Sequence, residues 1–127
     1  MPIRSHRDLI VWQRAMDLVV ESYAVSVKLP KEELYGLSGQ LRRAAVSIPS
    51  NIAEGHGRWY YQENMRFCRT YRGSIDEIID DLNACIDEGY ADGQQIERLK
   101  EEAHALIARI NGYIAYLRNT KQGDEPA

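Results

Sequence analysis

The feature that most constrains the fold is a long apolar series near the C-terminus, in which steps of three and four residues alternate. Its members are Ile96, Leu99, Ala103, Leu106, Ile110, Tyr113 and Leu117. Such steps place side chains on one stripe of an α-helix, and their alternation is typical of the seam between antiparallel bundle helices. We therefore expect a helix at about residues 92–118, with Asp92 as its N-cap.

Three further segments show helical periodicity, at about residues 8–28, 32–55 and 62–89. In the first, which has Asp8 as a candidate N-cap, we expect one apolar side made of Leu9, Trp12, Met16, Val19, Val20, Tyr23 and Val27. The second repeats Leu34, Leu37, Leu41, Ala44 or Ala45, Ile48 and Ile52, and the third Met65, Cys68, Tyr71, Ile75, Ile78, Leu82 and Cys85 or Ile86. The period-two alternation of a strand is missing, and the breaks are short. The sequence predicts an all-α, up-and-down antiparallel four-helix bundle.

The length of 127 residues suits one domain. Residues 1–7 and 119–127 contain no apolar repeat, so we expect flexible ends on either side of a bundle at 8–118. No stretch approaches the roughly 18 to 20 apolar residues of a membrane span, and no apolar signal region follows the N-terminus. We expect a cytoplasmic protein in which Cys68 and Cys85, seventeen residues apart on one helix, are reduced.

Pro49 lies inside the second predicted helix. A proline there removes one backbone hydrogen bond and clashes with the preceding turn, at a cost of about 3 kcal/mol unless the fold uses the bend. The sequence predicts a kink between Ala45 and Pro49, with the hydroxyl of Ser47 or Ser50 satisfying freed backbone groups.

Catalytic chemistry has little support in the sequence. Glu101 and His104 form one Glu-x-x-His pair, whereas a di-metal site in a bundle needs two such pairs and two more glutamates. The acidic residues Asp76, Glu77, Asp80 and Asp81 are paired at helical spacing, which favours a charged exposed face or a docking surface for arginine over a cation or acid–base site. We predict no enzymatic activity and assign no catalytic residue, metal ligand or cofactor.

Charge is segregated along the chain, although the net charge is only −3. Residues 42–72 hold six arginines against two glutamates, a net of +4, and residues 73–102 hold ten acids against two bases, a net of −8. The arginines are Arg42, Arg43, Arg58, Arg66, Arg69 and Arg72, interleaved with Trp59, Tyr60, Tyr61 and Tyr71. Arginines with exposed aromatics bind phosphates and stack bases. They can equally pair with the acidic segment of the same or a neighbouring subunit.

Several sequence stretches resemble the family of proteins encoded within intervening sequences of bacterial 23S ribosomal RNA genes. The resemblance runs over residues 8–118 and is carried by LIVWQRAM at 9–16, LPKEELYGL at 29–37, QLRRAAVSIPSNIAEG at 40–55, Gly57-Arg58, Arg66-Phe67 and Gly73-Ser74. It implies a bundle that forms a ring-like homopentamer with a central channel. It also implies that Pro49, Asn51 and Glu54 support a kinked continuous helix and a subunit interface.

The functional prediction is a non-enzymatic homo-oligomeric adaptor. Its proposed binding residues for nucleic acid, or for a nucleic-acid-processing protein, are Arg42, Arg43, Arg58, Trp59, Arg66, Arg69 and Arg72. The family includes the accessory protein of diversity-generating retroelements, whose surface is positive, while this chain is negative overall. The alternative is a protein–protein scaffold that uses these charges at its subunit interfaces.

Overall fold

The computed structural model describes residues 9–58 and 60–120, and these residues form four α-helices and no strand. The helices are α1 at Ile10–Val27, α2 at Leu37–His56, α3 at Tyr61–Asp87 and α4 at Gly93–Thr120. Each helix packs against the next, and α4 returns to α1, so the all-α four-helix bundle is confirmed. The predictions for Asp8, Trp59 and the two chain ends at 1–7 and 121–127 lie outside the described residues.

In the described part of the chain, no helix is both long enough and apolar enough to cross a bilayer.

α2 begins later than the sequence predicts. Lys31–Glu33 forms a separate 3₁₀ turn, and Gly36, with φ −99° and ψ −112°, breaks the helical path before Leu37. The carboxylate of Glu33 then accepts a hydrogen bond from the backbone N–H of Leu37 at 3.3 Å, which satisfies a donor that the helix start leaves unpaired. Leu34, expected in the core, is therefore half exposed.

The predicted seams of α3 and α4 are buried. In α3 every member from Met65 to Cys85 lies in the core, and in α4 Ile114 is buried where Tyr113, the predicted member, is only partly so. Asp92 caps α4 as expected, because its Oδ1 accepts a hydrogen bond from the N–H of Gln94 at 3.1 Å. Thr120 is still helical, so α4 extends two residues into the predicted tail.

Gly89 ends α3 by adopting the left-handed conformation, with φ 70°. Its N–H bonds to the carbonyl of Ile86 at 3.0 Å, and the N–H of Tyr90 bonds to that of Cys85 at 2.9 Å. This pair of bonds is the Schellman motif, which satisfies carbonyls left unpaired at a helix end. The motif turns the chain sharply towards α4.

The predicted core face of α1 is wrong for Val20, Tyr23 and Val27, which are exposed. The buried residues of this helix are Val11, Ala15, Leu18, Ser22, Val25 and Ser26. Ala15 and Ser22 are small, and small side chains let neighbouring helix backbones approach closely. The series chosen from the sequence contains larger side chains. Leu9 is buried and Trp12 and Val19 pack against the core, whereas the later members Val20, Tyr23 and Val27 face away from it.

Around Pro49, α2 remains one continuous helix, and the kink itself stays a prediction. The hydroxyls of Ser47 and Ser50 donate to the carbonyls of Ala44 and Val46, at 2.9 and 3.1 Å. These carbonyls flank that of Ala45, which is the one that loses its partner to Pro49. The two serines therefore bond next to the freed group and not to it.

Candidate functional site

The exposed side of α1 carries a line of apolar side chains. Val20, Tyr23 and Val27 are 65%, 37% and 71% exposed, and Met16, half-buried, continues their line by one turn. The spacing of four, three and four residues makes one apolar stripe, which we call the α1 stripe. The connection after α1 adds an exposed Tyr35. A line of apolar side chains in water is typical of a surface that another molecule covers.

Polar bonds hold Arg42 at the edge of the α1 stripe. Its Nε donates to the hydroxyl of Ser26 at 2.8 Å, and its guanidinium lies 5.6 Å from the ring centre of Tyr23. Ser26 in turn donates to the carbonyl of Tyr23 at 2.7 Å. Arg42 therefore fixes α2 against α1, away from the other predicted arginines.

Arg43 points towards α3, although it is the next residue in the chain. It shares a groove of about 510 Å³ with Glu77, Asp80 and Asp81. Burial, and then the charges of Glu77 and Asp80, raise the pKa of Asp81 to about 6, and Arg43 opposes this rise. One guanidinium faces three carboxylates, so the groove keeps an excess of negative charge.

Arg72 turns in a third direction, towards α4. Its Nη1 donates to Oδ1 of Asn111 at 2.7 Å. Consecutive residues of a helix diverge by about 100°, so arginines that are clustered in the sequence need not share a face.

Two of the predicted arginines do lie on one surface, at the end of the bundle where α2 meets α3. Arg58 and Arg66 line a pocket of about 380 Å³ around Phe67, together with Glu63 and Thr70. Arg69 is exposed on the next turn of α3 and does not line this pocket. The guanidinium of Arg58 lies 5.2 Å from the Phe67 ring centre and 3.3 Å from the Glu54 carboxylate. We call Arg58, Arg66 and Arg69 the basic cluster.

Asn51 and Glu54 make contacts close to them in the chain. Asn51 donates to the carbonyl of Ser47, one turn earlier in α2, at 2.7 Å, and Glu54 pairs on the surface with Arg58, just after α2. A role for them at a subunit interface stays a prediction.

A comparison with models of protein families shows to which family the chain belongs. Residues 7–112 match the model described as 23S rRNA-intervening sequence protein. The chain belongs to this family. A search of curated proteins found no match. The resemblance noted in the sequence is thereby confirmed for this member of the intervening-sequence family.

The candidate metal residues of this family member are far from the core. Glu101 and His104 lie on the exposed side of α4, away from its buried seam. Among residues 9–58 and 60–120, the structure brings together no group of three or more His, Cys, Asp or Glu side chains suited to a metal ion.

Sequence reasoning missed one pair of carboxyl groups altogether. Glu21 on α1 and Glu102 on α4 hydrogen-bond to each other, and both line the two pockets between these helices. Burial, followed by this hydrogen bond and the charge of Glu102, raises the pKa of Glu21 to about 7. The two residues are 81 positions apart, so helical periodicity within either segment carries no signal of the contact.

Proposed function

We propose that this chain is a non-enzymatic, cytoplasmic adaptor that assembles with copies of itself and binds nucleic acid or a nucleic-acid-processing protein. The observation that carries the proposal is the α1 stripe, with Val20 and Val27 among its most exposed members. Removing apolar area from water is favourable by about 25 cal/mol per Å². A second molecule that covers this stripe would therefore gain binding free energy.

A second copy of the chain suits the α1 stripe. Every copy carries the same stripe, and the family resemblance points to a homopentamer. In a ring, the stripe of one subunit meets a different surface of the next, and five such contacts close. The ring also repeats the basic cluster five times around one axis.

The assembly is tested by the mass of the purified protein in light scattering at high salt, where surface charges are screened. A pentamer is expected for the wild type and a smaller species for Val20→Glu with Val27→Glu. The control is Val20→Ile with Val27→Ile, which keeps both positions apolar and should keep the mass. A monomeric wild type would refute the proposed assembly, as would acidic variants that still form pentamers.

Nucleic-acid binding rests on the basic cluster. Arg58 and Arg66 lie beside Phe67, which offers an aromatic partner, and Arg69 is exposed on the next turn of α3. Contacts between arginine and phosphate release counterions, so affinity for RNA must fall steeply as salt rises. The overall charge of −3 confines any such affinity to this surface.

The binding test is fluorescence anisotropy of labelled RNA at several salt concentrations. We expect the triple variant Arg58→Gln, Arg66→Gln and Arg69→Gln to lose affinity and most of the salt dependence. The control Arg14→Gln, Arg109→Gln and Arg118→Gln removes the same charge from α1 and α4 and should bind like the wild type. Absence of binding at low salt would refute this part of the proposal.

A purely protein–protein scaffold is the second candidate, and the divergent arginines favour it. Arg42, Arg43 and Arg72 each engage groups of their own subunit. A pentamer whose mass and stability are indifferent to RNA would establish this alternative over the first.

A further inference from the structure

The solvent-facing side of α3 forms a regular stripe opposite the buried seam of that helix. Its exposed residues are Arg66, Arg69, Thr70, Gly73, Asp76, Glu77 and Asp80. Steps of three, four and seven residues align them along the helix, with the spacing by which two antiparallel helices pair. This stripe is polar throughout, so any partner must recognise it by charge.

Along this stripe, basic residues lie before Gly73 and acidic residues lie after it, at matching distances. Arg69 precedes Gly73 by four residues and Glu77 follows it by four, while Arg66 and Asp80 are each seven residues away. A rise of about 1.5 Å per residue puts the members of each pair at equal distances, about 6 and 10 Å, on either side of Gly73. A two-fold axis at Gly73 would therefore superimpose basic positions on acidic ones.

Gly73 also leaves room for a neighbour. A Cβ atom placed at this position would meet nothing within 4 Å, so the glycine is not required by packing inside the subunit. Glycine lowers the stability of a helix interior, but it lets a second helix backbone approach closely.

We propose that α3 is a docking surface for α3 of a second copy, antiparallel, with the two-fold axis at Gly73. Arg66 of each copy then faces Asp80 of the other, and Arg69 faces Glu77. The contact then contains four ion pairs, two between Arg66 and Asp80 and two between Arg69 and Glu77. The two-fold axis relates the two members of each kind, as a self-complementary contact requires.

The acidic half of the stripe has fewer positive than negative charges around it within the subunit. Within the subunit, Glu77, Asp80 and the adjacent Asp81 share a groove with one arginine, Arg43. The raised pKa of Asp81 has the crowding of these carboxylates among its causes. Arginines from a second copy would relieve this crowding.

This contact is separate from the α1 stripe. Because the helices pack in the order α1, α2, α3, α4 and back to α1, α3 lies diagonally opposite α1. An assembly built on α1 can therefore also pair through α3. The inference deepens the proposed self-assembly, but the two contacts can fail independently.

The test is sedimentation velocity at 50 and 500 mM salt. Exposed ion pairs are individually weak and screened, so we expect particles larger than the high-salt species only at low salt. Arg66→Glu with Arg69→Glu, and Glu77→Arg with Asp80→Arg, should each abolish this salt-dependent association. An equimolar mixture of these two proteins, and the quadruple variant with all four changes, should restore it.

Gly73→Leu probes the crossing point, and its matched control is Gly112→Leu. Both glycines are exposed, lie within helices and have open space at the Cβ position. We expect Gly73→Leu to weaken the low-salt association at least about ten-fold and Gly112→Leu to leave it unchanged. Circular dichroism of both variants establishes that the subunit is folded.

A mass that is independent of salt, or a quadruple variant that does not associate, would overturn the α3 contact. Neither result touches the α1 stripe, whose test is the mass at high salt. Conversely, if Val20→Glu with Val27→Glu keeps the high-salt mass of the wild type and still associates further at low salt, the α3 contact stands and the α1 proposal falls.

Discussion

Glu21 on α1 and Glu102 on α4 join their carboxyl groups by a hydrogen bond across the sparsest of the four contacts between neighbouring helices. One proton is needed for this bond. Partial burial of Glu21 is the main reason that its pKa rises from 4.5 to about 7, and Asp17 adds to the rise while Arg98 opposes it. The closure of the bundle between α1 and α4 is therefore sensitive to pH near neutrality.

The sign of the pH effect follows from proton binding. Between about pH 4.5 and about pH 7 the folded state holds a proton on Glu21 that the unfolded state has lost. The stabilisation from this group is thus fully present below about pH 4.5 and is lost as pH rises from there through about 7. We expect Glu21→Gln to be more stable than the wild type at pH 8 and similar to it at pH 5, as measured by thermal unfolding. Glu101→Gln, on the exposed side of α4, should show no such difference.

Gly55 is a glycine whose replacement should destabilise the fold by overpacking. An added Cβ would lie 2.7 Å from Oδ1 of Asn64 and 2.7 Å from Cβ of Phe67, at the contact between α2 and α3. We expect Gly55→Ala to lower the free energy of unfolding by about 1 to 3 kcal/mol through overpacking. Gly112→Ala, in open space on α4, should raise it by about 0.5 to 1 kcal/mol. Urea denaturation measures both, and equal effects would contradict the packing explanation.

Ser22 and Ser26 are both buried on α1, and removing their hydroxyls should change the stability of the fold in opposite directions. The Ser22 hydroxyl is among the buried polar atoms of the described residues that have no hydrogen-bond partner, whereas Ser26 bonds both Tyr23 and Arg42. Removing an unsatisfied group relieves a desolvation cost, so Ser22→Ala should stabilise the fold by about 1 kcal/mol. Ser26→Ala should destabilise it by about 1 to 2 kcal/mol. A destabilised Ser22→Ala protein would show that the hydroxyl has a partner in solution.

The thiols of Cys68 and Cys85 should be unreactive while the bundle is folded. Both are buried; burial raises their pKa, and that of Cys85 reaches about 11, with Asp81 and Glu33 adding to the shift. Since the thiolate is the reactive form, we expect a thiol reagent at pH 8 to modify Cys85 about 100-fold more slowly in the native than in the denatured protein. Rapid labelling without denaturant would indicate that α3 opens locally.

The apolar periodicity of the sequence was sufficient to predict the buried sides of α3 and α4, but it was misleading for the buried side of α1. In α3 the large apolar residues from Met65 to Cys85 occupy a single stripe, so the pattern has one solution. In α1 two sides compete, and close packing selects the side with Ala15 and Ser22 over the more apolar one. Transfer hydrophobicity alone gives the wrong answer there, since it ignores how near two backbones come.

The candidate site was predictable in composition but not in geometry. The basic segment does hold the cluster of Arg58 and Arg66 around Phe67. Sequence adjacency nevertheless grouped Arg42 with Arg43, whose side chains reach α1 and α3 respectively. Contacts such as the 2.6 Å hydrogen bond between Ser47 and Ser74 depend on the register of two helices, which no single helix encodes.

A helix that is apolar on two opposite sides does not by its hydrophobicity alone specify which side turns inward. For α1, an orientation with Val20 and Val27 in the core competes with the one observed, and in the proposed assembly a neighbouring subunit that covers these residues would remove the competition. Folding and the proposed assembly would then be linked equilibria, and the uniqueness of the native state of one chain would depend on the concentration of its copies.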